Sequence, residues 1–210
     1  MYSQSIHQRV MTVSGSGEIK AQPTVAVIQL GVVTESQSLT QAQQENARVM
    51  NQVIESIVKL GLPREAIQTA DYSISPQYDY DSGTQVFRGY QVMNMISVTI
   101  EDINQTGEVI DTAVQNGANQ VSNIQFSVKN PEVLYQRALS EALNDAYMKA
   151  RSMARTMGLQ LEPTPVKVIE RMQGGGIPLA KAETFAAATP IEPGQLEIRA
   201  SVEVKFLFFS

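Results

Sequence analysis

The sequence predicts an α+β fold: mainly antiparallel sheet packed against amphipathic helices, in the order β-β-α-β-β-α-β-α-β-β. Two observations carry this. Most candidate strands alternate apolar and polar residues with period two, the pattern of antiparallel strands with one wetted face. Three longer segments place apolar residues at spacings of three and four, and each ends at a glycine (Gly61, Gly117 or Gly158).

The elements follow in order. Residues 10–21 read as a strand, with Gly15 and Gly17 marking a bulge or a close backbone approach. Pro23 interrupts it. Residues 24–34 form a second strand with Ala26, Ile28, Leu30 and Val32 on one face. Val25, Val27 and Val33 make the other face apolar too, so this strand is central. Ser38 is the N-cap of a helix over 39–60. Residues 67–78 and 88–101 pair as a hairpin, joined by turn chemistry over 79–84. A helix over 104–116 buries Val109, Ile110, Ala113 and Val114. The strand at 121–129 turns Ile124, Phe126 and Val128 inward.

Pro131 opens the longest helix, which runs to about Met157. Ala138, Ala142, Ala146, Ala150 and Ala154 recur every four residues, a row of methyls that lets the helix lie close to its partner. Residues 165–172 form a short strand, and 173–195 a long Gly-, Ala- and Pro-rich loop. The chain closes on the clearest alternation of all, from Leu196 through Ala200, Val202, Val204 and Phe206. No linker separates independent domains. One domain over 1–210 is expected, its halves reading as two α/β layers.

Composition excludes much chemistry. The 210 residues carry a net charge of −5 and no Lys/Arg cluster, so nucleic acid is not an expected partner. The absence of cysteine removes disulfides, thiolate nucleophiles and Zn–Cys sites. No apolar run reaches the ~20 residues that span a bilayer. The opening residues 1–7 show no basic region followed by an apolar run. The expected location is cytoplasmic, with an exported and processed chain as the alternative.

Candidate chemistry is sparse. His7 is the only histidine, so no Ser-His-Asp triad or His-rich metal site can form. Gly15-Ser16-Gly17 lacks the third glycine of a dinucleotide loop, since Lys20 stands there. Asp79-x-Asp81-x-Gly83 has its glycine one place early for a calcium loop, and Tyr90 stands where a bidentate Glu is needed; a hairpin turn accounts for it. Asp71, Glu101 and Asp102 read as solvated strand-end acids rather than a catalytic pair. Neither a cofactor nor a metal is expected, and catalytic residues are not assigned.

The aromatic crowd of the hairpin (Tyr72, Tyr78, Tyr80, Phe87 and Tyr90) reads as cross-strand packing or a subunit contact, with a stacking platform as the alternative. The candidate interaction residues are Tyr78, Tyr80 and Phe87, together with Ile177, Leu179, Phe185 and Ile191 of the long loop.

A series of short motifs resembles the SIMPL domain family of bacterial periplasmic immunogenic and oxidative-stress defence proteins. It runs from Val13-Ser14-Gly15-Ser16-Gly17-Glu18 through Tyr72-Ser73-Ile74-Ser75-Pro76-Gln77-Tyr78, Gly89-Tyr90-Gln91-Val92 and Gly117-Ala118-Asn119. It continues in Asp145-Ala146-x-x-Lys149-Ala150 and Thr189-Pro190-Ile191-Glu192-Pro193-Gly194. Thr24 departs from the Asp usual after the proline, and the export signal common in the family is not seen here. The resemblance implies no catalytic residues. It implies self-assembly, since a member forms a ring-like, channel-shaped oligomer, and a link to stress. The expected function is a non-enzymatic, homo-oligomeric structural or interaction protein, with a small-ligand or peptide binding module as the alternative.

Overall fold

A computed structural model describes residues 9–81, 83–171 and 189–209. The chain forms two compact units, and each is an α+β layer of helix on antiparallel sheet.

The first unit combines β1 (Arg9–Ala21), α3 (Pro131–Thr156), β6 (Gln160–Leu161), β7 (Lys167–Glu170) and β8 (Leu196–Phe209). β8 lies at the centre, paired with β1 on one side and with β6 and β7 on the other. Cross-strand pairs Met11–Phe206, Val13–Val204, Gly15–Val202 and Gly17–Ala200 share the face under α3. Ala138, Ala142, Ala146 and Ala150 of the five-alanine stripe are fully buried against them, and Ala154 is buried as well. The two glycines explain how close the helix comes. A Cβ on Gly15 would stand 2.0 Å from the Ala142 carbonyl oxygen, and one on Gly17 would stand 2.0 Å from that of Ala138. Real Cβ atoms do not approach so closely, so only glycine admits α3 at this depth.

The second unit holds β2 (Val25–Ser36), α1 (Leu39–Lys59), β3 (Ile67–Asp81), β4 (Thr84–Ile100), α2 (Thr106–Gln115) and β5 (Gln120–Ser127). Its sheet runs β3-β4-β2-β5, all antiparallel, with β2 central as its two apolar faces require. Ile28, Leu30, Ile96, Val98 and Ile100 pack under Val53 and Ile57 of α1 and Val109 of α2. Among the described residues two polar side chains are buried in this unit, Asn46 of α1 and Thr106 of α2, whose hydroxyl donates to the Ile103 carbonyl at 2.7 Å. The Asn46 amide donates to the carbonyls of Val32 (2.8 Å) and Val92 (3.1 Å), fastening the helix to both central strands.

Several expectations are corrected. The hairpin strands do not stop at 78 and 88: pairing continues to Asp81–Thr84, with Gly83 at φ +86° in the connection. Ladder pairing there overrides the turn preference of Asp79 and Tyr80. Ser38 occupies the N-cap position of α1, but its side chain makes no capping bond; its carbonyl accepts from the Ala42 amide. Val114 is exposed, because α2 is short and its stripe is the narrow Thr106–Val109–Ile110–Ala113 set. Ile124 is exposed because Asn123 (φ 51°) and Ile124 together face the single Ile28, a bulge that resets the alternation of β5. β6, two residues long, had no period to reveal it. Most of the 173–195 loop, including Ile177, Leu179 and Phe185, lies outside the described residues. Among the described residues, no helix is long and apolar enough to cross a membrane.

Candidate functional site

The β3–β4 hairpin carries an exposed aromatic surface. Along β3, Tyr72, Ile74, Pro76, Tyr78 and Tyr80 fall on one face by strand alternation. Asp71, Ser73, Ser75, Gln77, Asp79 and Asp81 fall on the other. The aromatic face is the one that α1 covers further along: Ile74 stands opposite Val92, which is buried, and the Tyr72 hydroxyl accepts from Gln43 of α1 at 3.5 Å.

Beyond that point, among the described residues, the apolar face continues uncovered. Tyr78, Phe87 and Tyr72 are each nearly half exposed, and Tyr80 is 76% exposed. The rings order one another: Tyr78 and Phe87 meet edge-on at 5.7 Å, and Phe87 and Tyr90 at 5.2 Å. Such contacts are worth about 0.5–1.5 kcal/mol each, so the rings restrain one another.

A polar bracket fixes the base of this arm. Arg88 is the extra residue of a β4 bulge between the pairs Gln77–Gly89 and Tyr78–Phe87. The bulge aims its guanidinium at Glu35 (3.1 Å) and Asp79 (3.8 Å). Gln91 also donates to Glu35, at 2.9 Å. Gly89 passes so near β2 that a Cβ would lie 2.8 Å from the Ser36 carbonyl oxygen. A small cleft of about 190 Å³ opens here, lined by Glu35, Gln77, Arg88 and Tyr90 among others.

The candidate residues are thus divided. Tyr78, Tyr80 and Phe87 share the arm. Ile191 sits elsewhere in the same unit, half-buried against its core and beside a larger cleft of about 620 Å³ along α2. There the Asp111 carboxylate accepts from the Thr189 amide (3.2 Å) and hydroxyl (2.6 Å), tying the returning chain to α2. Two of the three acids singled out in the sequence, Glu101 and Asp102, have structural partners. Glu101 pairs with Lys129 at 3.0 Å, and Asp102 accepts from the Asn104 amide at 3.1 Å. Among the described residues no three His, Cys, Asp or Glu side chains cluster to hold a metal. Ile74, Glu35 and Gln91 were not anticipated as parts of this surface. The period of β3 puts Ile74 in line with Tyr72 and Tyr78, a signal that could have found it. Glu35 is 53 residues from Arg88, with no local signal to join them.

Two helix-on-sheet units, one of them bearing an ordered aromatic arm, define an α+β protein. The chain belongs to the SIMPL family, described as a protein of unknown function (DUF541), whose model matches residues 11–206. It is similar to the 26 kDa periplasmic immunogenic protein of Brucella melitensis, 26% identical over 209 residues, covering 93% of this chain and 83% of that one. It is also similar to the uncharacterized protein YggE of Escherichia coli K12, 23% identical over 188 residues, covering 83% and 76%. The expectation of a cytoplasmic location is corrected by the Brucella relative. The Brucella protein is periplasmic by name, and how the present sequence begins is no argument against export.

Proposed function

We propose that this protein is a non-enzymatic, self-associating interaction protein that works outside the cytoplasm, with the β3–β4 arm as its contact surface. The observation that carries the reading is the apolar face of the arm, ordered by edge-on rings yet, among the described residues, left uncovered past α1. Large exposed apolar patches on soluble proteins mark interaction sites, and Tyr and Phe are favoured in them. The net charge of −5 speaks against a nucleic-acid partner. The reading involves no cofactor. The periplasmic relative supports the compartment. A role in stress resistance, implied by family resemblance, belongs to this reading as a cellular outcome rather than a mechanism.

The test is the double variant Tyr78→Ser/Phe87→Ser, compared with the parent by light scattering after gel filtration. The arm reading expects a smaller assembly with unchanged circular dichroism. An assembly of parental mass rejects the arm as the contact.

A second reading, a binding module for a small ligand or peptide, draws on the cleft along α2. Native mass spectrometry of freshly purified protein decides it: a retained ligand that is lost on Asp111→Ala favours this reading, and bare protein with no thermal-shift hits rejects it.

A further inference from the structure

Sheet edges present unpaired amides and carbonyls, and another extended chain can add to them. Among the described residues β1 is such an edge, since β8 alone pairs with it, on one side. Ser14 and Ser16, two residues apart, turn backbone groups away from β8. Those groups have partners, and the partners come from a helix. The Ser16 amide donates to Asp145 Oδ2 at 2.9 Å. The Ser14 carbonyl accepts from Lys149 Nζ at 3.2 Å. Asp145 and Lys149 are one turn apart on α3 and pair with each other at 2.7 Å.

We infer that Asp145 and Lys149 form an edge guard: one acceptor and one donor, held at strand spacing, that stand in for the backbone of a neighbouring strand and deny β1 to any extended chain, including a second copy. The rest of the unit explains why a helix can do this. Gly15 and Gly17 let α3 lie close on β1, so that the side chains of Asp145 and Lys149 reach over its edge. Asp145 is held in its charged form by Lys149 and by the Ser16 amide, which keeps it an acceptor. The other unit contains the same device. The Asn119 side-chain amide donates to the Val33 carbonyl and accepts from the Val33 amide, both at 2.8 Å, extending the β5 side of β2 beyond the strand pairing. Side-chain imitation of a strand is therefore used in both units, and in the first it covers an outer edge.

The inference concerns the unit that lacks the arm, so its test is made in the Tyr78→Ser/Phe87→Ser background, where arm contacts cannot mask the result. Two variants are compared with that parent. Asp145→Ala/Lys149→Ala removes the guard and leaves two good helix formers at an exposed site. Asp145→Lys/Lys149→Asp keeps both charges but presents a donor to the Ser16 amide and an acceptor to the Ser14 carbonyl. The readouts are amide exchange at Ser16 and mass against concentration. For both variants the expected result is Ser16 exchange faster by about tenfold or more, as for an opened edge amide, with mass rising above the parent. Unchanged Ser16 exchange overturns the inference. So does faster exchange with parental mass, or a swapped pair that protects as well as the native one, because then only the ion pair matters.

Discussion

Gly15 lies so close beneath α3 that its missing side chain is occupied by the carbonyl oxygen of Ala142, 2.0 Å from where a Cβ would stand. The neighbour is helix backbone and cannot rotate away. Gly15→Ala should therefore push α3 off the sheet and uncover part of the alanine stripe. Overpacking of this kind costs typically about 1–3 kcal/mol, occasionally more. Thermal or denaturant unfolding measures it. Gly61→Ala is a poor control because of its positive φ, whereas Ala substitution of exposed Thr12 should change stability little.

Asn46 gives a sharper contrast. Its amide donates to two strand carbonyls inside the second unit, while its Oδ1 has no protein partner among the described residues. Asn46→Ala should destabilise by about 1–3 kcal/mol through lost hydrogen bonds and a small void. Asn46→Asp is nearly isosteric but turns a buried carboxylate onto those carbonyls. It should cost about 2 kcal/mol more at neutral pH, since an unpaired buried charge is costlier than a void. The new carboxyl's folded pKa is raised, so its protonated form is favoured in the fold. The penalty should shrink as pH falls into the ordinary carboxylate range. Equal melting temperatures for the two variants from neutral to acid pH would refute this account of Asn46.

Acid should loosen the first unit through different groups. Lys149 and the Ser16 amide hold the Asp145 carboxyl below its usual pKa, and Arg171 does the same for Glu203. A lowered folded pKa contributes stability that is present above the unfolded pKa and is lost as pH falls through the folded one. The melting temperature should therefore drop as pH falls below about 4, the unfolded carboxylate range. Asp145→Asn should flatten that drop. A variant curve parallel to that of the parent would contradict this assignment.

Val202 and Val204 are fully buried on the central strand of the first unit, facing α3. Val202→Asp or Val204→Asp should unfold that unit, since an unpaired charge there costs several kcal/mol against a total of ~5–15. Circular dichroism and solubility provide the check. A retained melting temperature would contradict the burial of this face of β8.

The parts legible in the sequence were those with a long, single period. The alanine row of α3, the alternation from Leu196 to Phe206 and the doubly apolar β2 each state their burial in local residue order. What escaped depends on register or distance. Asp79, Tyr80 and Asp81 lie in a stretch of turn chemistry, yet β4 pairs with them. Ile124 was turned outward by a one-residue bulge that no periodicity announces. The crowding of tyrosines disclosed the arm, but its bracket joins Arg88 to Glu35 across the sheet. The guard joins Asp145 to Ser16, 129 residues apart. Hydrogen bonds of that range leave no pattern in a single sequence.

Self-association is tested most directly by the mass of the intact protein in solution, followed by sedimentation velocity over a hundredfold range of concentration. The account predicts an assembly of several chains that persists on dilution and diminishes when Tyr78 and Phe87 are replaced. One species with the mass of a single chain at every concentration would contradict it.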